Sequence, residues 1–157
     1  MSGRYNDAFL YAFDEQGKRY LISQEYSYAG GGYYHESTTM NGYEYDVTAD
    51  ALEDEPETQG TKLPDLGAED VKSYFTEEPS PAMKEVLRIN GLTGEKLIRF
   101  LWISIDSVNA GPYAASCYSI SKDEYIEYEH DLCAESIGDE VEQVAEALAA
   151  KYAPEKL

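Results

Sequence analysis

Carboxylates and tyrosines are the side chains of this sequence whose number and spacing could do chemistry. Glu44, Asp46, Asp50, Glu53, Asp54, Glu55 and Glu57 follow one another with no intervening cation. A second stretch, from Asp123 to Glu146, again holds no Lys or Arg. Within it Glu127, Glu129 and Asp131 alternate, so on a strand they share one face at intervals of about 6.5–7 Å. Asp139, Glu142 and Glu146 recur at helical spacing, so on a helix they form a row with neighbours about 5–6 Å apart. Like charges so placed repel unless something basic sits opposite. Duplex DNA presents one phosphate charge per about 1.7 Å of axis, so such rows can imitate a phosphate backbone toward a DNA-binding protein. An acidic run is also commonly just a solvated face, and no spacing rule is diagnostic of mimicry.

The chain has 15 tyrosines, and Tyr33, Tyr34, Tyr43 and Tyr45 crowd one short region with Tyr26 and Tyr28. Tyrosine gives large contact area at low entropic cost and is enriched at interface hot spots. Interleaved with carboxylates, these rings suit an Arg-rich partner through cation–π and ionic contacts together. Their competing explanation is structural, because tyrosine favours half-buried strand positions.

Other chemistries find less support. Cys117, His130 and Cys133 can ligate zinc, with His35 as a fourth ligand, but zinc sites usually show two close pairs and only His130-x-x-Cys133 is close. Cys117, inside an apolar run, reads as a small core residue. His35-Glu36 lacks a second His at metalloprotease spacing. Gly30-Gly31-Gly32 lacks the Lys and Ser/Thr of a phosphate loop and reads as a flexible connection between strands. No Gly-x-Ser-x-Gly elbow or Cys-x-x-Cys motif occurs. The expectation is a protein that is not an enzyme and needs no metal or cofactor.

These side chains must be positioned by an α+β fold. Ala8–Phe13 alternates, placing Phe9, Tyr11 and Phe13 on one face and Leu10 and Ala12 on the other, and a turn at residues 14–17 returns the chain as a strand over Arg19–Glu25. Asn41-Gly42, between Tyr34–Met40 and Tyr43–Ala49, is the signature of a type I′ hairpin. An N-terminal antiparallel meander of about four strands follows from this pattern. Residues 50–66, rich in acids with two prolines, read as a mobile acidic loop. Short central helices follow, one over Ala68–Phe75 and one capped by Ser80 with Pro81 at its first position and Met83, Val86 and Leu87 on one side. Leu97–Ile105 suits a central strand better than a buried helix. Tyr113–Ile120 and Tyr125–Glu129 read as further strands. From Ile137 to Tyr152, Val141, Val144, Ala145, Leu148 and Tyr152 form the apolar stripe of a C-terminal amphipathic helix, with the carboxylate row on the opposite side.

The 157 residues fit one acidic α+β domain, residues 1–157, and no internal repeat divides them. Twelve Lys and Arg against 31 Asp and Glu leave a formal charge of −19. That field repels nucleic acid and anionic membranes and attracts basic protein surfaces, although net charge also simply keeps a protein soluble. Lysine supplies most of the cations, which argues against adaptation to high salt. The start of the sequence lacks a basic segment followed by an apolar run, and the two cysteines make no disulfide framework, so a cytoplasmic setting is expected. The leading expectation is an inhibitor that occupies a basic surface of a nucleic-acid-binding protein or nuclease, without touching nucleic acid or membrane itself. Phage and plasmid anti-defence inhibitors and toxin immunity proteins are similar in kind, with no motif matched. The alternatives are a toxin immunity protein and a small-ligand-binding or adaptor domain with a Tyr-lined pocket.

Overall fold

The structure, a computed structural model, describes residues 3–50, 57–108, 112–132 and 140–154. Five strands come first: β1 (Arg4–Asp14), β2 (Arg19–Gly30), β3 (Tyr33–Met40), β4 (Tyr43–Asp50) and β5 (Glu57–Gly60). Two helices follow, α1 (Ala68–Ser73) and α2 (Pro81–Ile89), then β6 (Leu97–Val108), β7 (Pro112–Ile120), β8 (Tyr125–Asp131) and the C-terminal α3 (Val141–Lys151). All eight strands form one antiparallel sheet, ordered β5-β4-β3-β2-β1-β6-β7-β8. The molecule is α+β in broad class and dominated by its sheet. No helix among the described residues is long and apolar enough to cross a membrane.

Alternation in β1 explains the layering. Leu10 and Ala12 enter a core with Ile22, Phe100, Ile120 and the apolar sides of α1 and α2, including Val71, Met83 and Val86. Phe9, Tyr11 and Phe13 enter a second core with Leu101, Ile103, Ile105 and α3, through Val144, Ala145 and Leu148. A strand buried on both sides must be apolar on both, which is why β1 and β6 sit mid-sheet. The helices therefore lie on opposite faces, here named the α1–α2 face and the α3 face.

Local chemistry sets the element ends. The Ser80 hydroxyl accepts from the Met83 amide at 3.2 Å, capping α2 behind Pro81, and Gly91, at φ 67°, ends it. Asn41 (φ 47°) and Gly42 (φ 85°) adopt the left-handed pair that a type I′ turn requires. The α3 stripe is as read from sequence: Val144, Ala145 and Leu148 are buried, with Val141 and Tyr152 packed against the same core.

One expectation is corrected. Residues 50–66 are not a loop throughout, because Glu57–Gly60 is the edge strand β5, paired with β4. All four of its residues are exposed, so it is held by backbone pairing and carries no apolar alternation to reveal it. Leu63 and Leu66 just beyond it are buried in the α1–α2 core, which pins residues 61–66 as a strap. Gly30–Gly32 connects two strands, as read from sequence, and does so as a tight turn: Gly31 (φ 60°) and Gly32 (φ 78°) join β2 to β3 directly, so the glycines serve backbone geometry.

Candidate partner-binding face

Helices α1 and α2 cover one end of their sheet face, above Leu10, Ala12 and Phe100, and leave the other end accessible. Two rows of side chains cross that open end. Strand register places Tyr45, Thr38, Glu25, Ala8, Ser104, Ser116 and Glu129 side by side from β4 to β8. At about 4.8 Å per strand, this row runs for roughly 29 Å. The adjacent row is Val47, Glu36, Ser27, Asn6, Asp106 and Ala114. Most of the floor is small or hydroxylated, so the carboxylates stand above a low surface. Across β1 and β6 the floor is tied together by Asn6, whose Nδ2 donates to Ser104 Oγ at 2.9 Å and to Asp106 Oδ1 at 2.8 Å.

Charge on this face is poorly compensated. The ion pairs among the described residues join Lys72 to Glu69, Lys84 to Glu78, Arg88 to Glu85 and Lys96 to Glu15, all beside the helices or the β1–β2 turn. Glu25, Glu36, Asp106, Glu127 and Glu129 enter none of them. The strap Lys62–Asp65 closes one side of a recess of about 530 Å³ that Glu25 and Glu36 line. Burial raises the Glu25 carboxyl above its ordinary range, and the neighbouring Asp65 and Glu36 charges raise it further. Tyr34 stands on the same face, and burial together with its hydrogen bond to Glu36 pushes its hydroxyl up to about 12. A cation entering the recess would satisfy carboxylates that now repel one another.

The carboxylate rows expected from sequence do not form one array. Glu127 pairs with Tyr118, and Glu129 with Ser116, on the α1–α2 face; Asp131 follows in register opposite Ala114. Glu142 and Glu146 are exposed on α3, across the sheet. Asp139 lies outside the described residues. The tyrosines divide as well. Tyr43 and Tyr45 join Tyr34 on the α1–α2 face, with Tyr45 packed against the core. Tyr33 instead belongs to a ring cluster on the α3 face.

That cluster joins Tyr5 to Tyr28 at 4.9 Å, Tyr28 to Tyr33 at 5.9 Å, and Tyr26 to Tyr5 and His35 at 6.3 and 6.0 Å. Beside it lies Asp7, only 6% exposed, whose carboxyl is pushed to about 6 by burial and by Glu142. Cys117 is buried in the α3 core, as read from sequence, and burial pushes its thiol up to about 12. His130 Nε2 is instead paired with the Tyr152 hydroxyl at 2.5 Å. Cys133 lies outside the described residues. Among the described residues, no three His, Cys, Asp or Glu side chains gather as metal ligands.

Sequence reasoning missed Glu25, Glu36 and Asp65, which come from three separate segments. Glu25 and Glu36 alternate correctly within their strands, but only the register of β2 against β3 sets them diagonally across from each other. The signal that could have found them is the Gly-Gly turn, which fixes that register. Searches of family models, curated proteins and solved structures find no match for this chain.

Proposed function

We propose that this chain is a non-enzymatic binding protein whose open α1–α2 face docks on a basic surface of another protein, of the kind that otherwise holds nucleic acid. One observation carries the reading: Glu36, Glu25, Asp106, Glu127 and Glu129, none of them in an ion pair among the described residues, stand on four strands (β3, β2, β6 and β8) of one sheet face, above a floor of small and hydroxylated residues. The span of roughly 29 Å suits a basic groove of duplex-binding size better than a single side chain. Formal charge of −19 would steer such a partner, making association fast and salt-dependent. As an inhibitor of this kind, the protein would compete with nucleic acid without binding it.

Two charge-reversal sets separate the faces. One carries Glu36→Lys, Glu127→Lys and Glu129→Lys; the other carries Glu142→Lys and Glu146→Lys. Calorimetry against a panel of basic DNA-binding proteins and nucleases, with duplex DNA as competitor, reads the effect. The first set is expected to weaken binding at least tenfold, while the second, far from the interface, changes it less than threefold. Equal loss in both sets would reduce the attraction to net charge, and unchanged affinity in both would remove the reading.

A further inference from the structure

We infer that the segment docking on this face is amphipathic, placing a basic side chain in the acid recess and an apolar side chain in the groove beside α2. This rests on the reading just given and specifies the partner's chemistry. The groove, of about 870 Å³, lies between the β3–β4 turn, the strap and α2. Tyr43, Leu63, Pro64, Pro81, Ala82 and Ile89 give it apolar walls. Residues Lys62 to Asp65 line both the groove and the acid recess, so occupants of the two are neighbours.

The two cavities differ in charge. In the recess, Glu25, Glu36 and Asp65 outnumber Lys62. In the groove, Lys62 and Arg88 balance Asp65 and Glu85, and Arg88 is hydrogen-bonded to Glu85. Electrostatic attraction therefore selects a cation for the recess and is neutral toward what enters the groove, where burial of apolar surface decides. The groove is also held in shape. Asn41 Nδ2 donates to the Ile89 carbonyl at 2.7 Å, tying the hairpin tip to the end of α2. Leu63, 7% exposed, anchors the strap in the core. Tyr43, next to that tie, leaves 53% of its surface exposed along one wall. A ring held so at a fixed edge is an anchor site for a partner's aliphatic side chain.

The test uses two labelled helical peptides of equal length and equal positive charge, one built from Lys and Leu and the other from Lys and Ser. Fluorescence anisotropy gives the affinity of each for the full-length chain. The Lys/Leu peptide is expected to bind roughly tenfold to a hundredfold tighter, the equivalent of one or two buried aliphatic side chains. Filling the groove with Ala82→Trp, or removing its wall with Tyr43→Ser, should erase that preference and leave Lys/Ser binding unchanged. Glu25→Gln with Glu36→Gln should weaken both peptides. Tyr43→Ser touches an exposed ring, so it keeps the test valid if Ala82→Trp does not fold. Equal affinity of the two peptides, or a preference that survives both groove variants, overturns the amphipathic assignment and leaves the acid face standing. Failure of both peptides to bind removes the amphipathic assignment and the acid face together.

Discussion

Asp7 is held where the central strand passes the start of α3, paired in register with Tyr26 on one side and Ile105 on the other. The groups facing it are Glu142 of α3 and the rings of Tyr5 and Tyr26, and no lysine or arginine enters the set that moves its carboxyl up from 3.8 to about 6. The folded state therefore holds this proton more tightly than the unfolded chain. By linkage, the stability this contributes is fully present below pH ~4 and is lost as pH rises through about 6. The size is on the order of 3 kcal/mol. Asp7→Asn is expected to flatten this part of the curve, so that the variant gains on the parent between pH 4.5 and 7.5 in urea unfolding. Parallel curves for the two proteins would show that Asp7 ionises freely in the fold. Asp14 shows the opposite case in the same strand. Burial works against its charge, but the Lys18 and Gln16 amides and the Tyr20 hydroxyl donate to it and hold its carboxyl below the usual range. One strand thus contains a carboxylate that turn geometry stabilises and another that it leaves desolvated.

Glycines at strand ends show how far an element depends on its neighbours. Gly42 (φ 85°) and Gly60 (φ 90°) share the left-handed conformation, but a Cβ on Gly42 meets nothing within 4 Å, whereas one on Gly60 meets the Glu44 carbonyl oxygen at 2.2 Å. Gly42→Ala is expected to cost about 1 kcal/mol, the backbone penalty alone. Gly60→Ala should cost more than twice that and release β5, seen as faster amide exchange in β4 residues that pair with it; equal costs would mean that the close approach carries no energy. What the sequence disclosed follows the same division between local and distant causes. The Asn41-Gly42 turn, the Ser80-Pro81 start of α2 and the α3 stripe were readable because each is decided within a few residues. β5 was not, since four exposed residues held by another strand's backbone leave no hydrophobic period. Nor was the candidate face. Alternation divides each strand into two sets of side chains, but which sets meet depends on β6 joining β1 across some ninety residues, a choice made by burial of Phe9 and Leu10 on opposite sides. That choice put Glu127 and Glu129 on one face and the α3 carboxylates on the other, although their spacing alone suggested a common array.

At the scale of the whole molecule, one property acts with opposite signs on folding and on association. A chain of formal charge −19 repels itself when compact, and the described ion pairs offset only a few of its carboxylates, near the helices. The carboxylates of the open face stand within a Debye length of one another at 0.01 M salt, where that length is about 30 Å, but most of the row lies beyond it at 1 M, where it is about 3 Å. Adding NaCl over this range should therefore raise the melting temperature of the free protein, by several degrees if relief amounts to about 1–2 kcal/mol. The same addition should weaken binding to a basic partner by tenfold or more, mainly through slower association. The Glu36→Lys, Glu127→Lys, Glu129→Lys set separates the two effects, because it changes the formal charge by six units and should reduce the salt gain in melting temperature along with the salt loss in affinity. The Glu142→Lys, Glu146→Lys set changes the formal charge by four units on the other side of the sheet. It should reduce the gain in melting temperature and leave most of the salt loss in affinity in place. If both sets moved affinity and melting temperature in parallel, the partner would be responding to total charge, and the sheet face would have no privileged role in recognition.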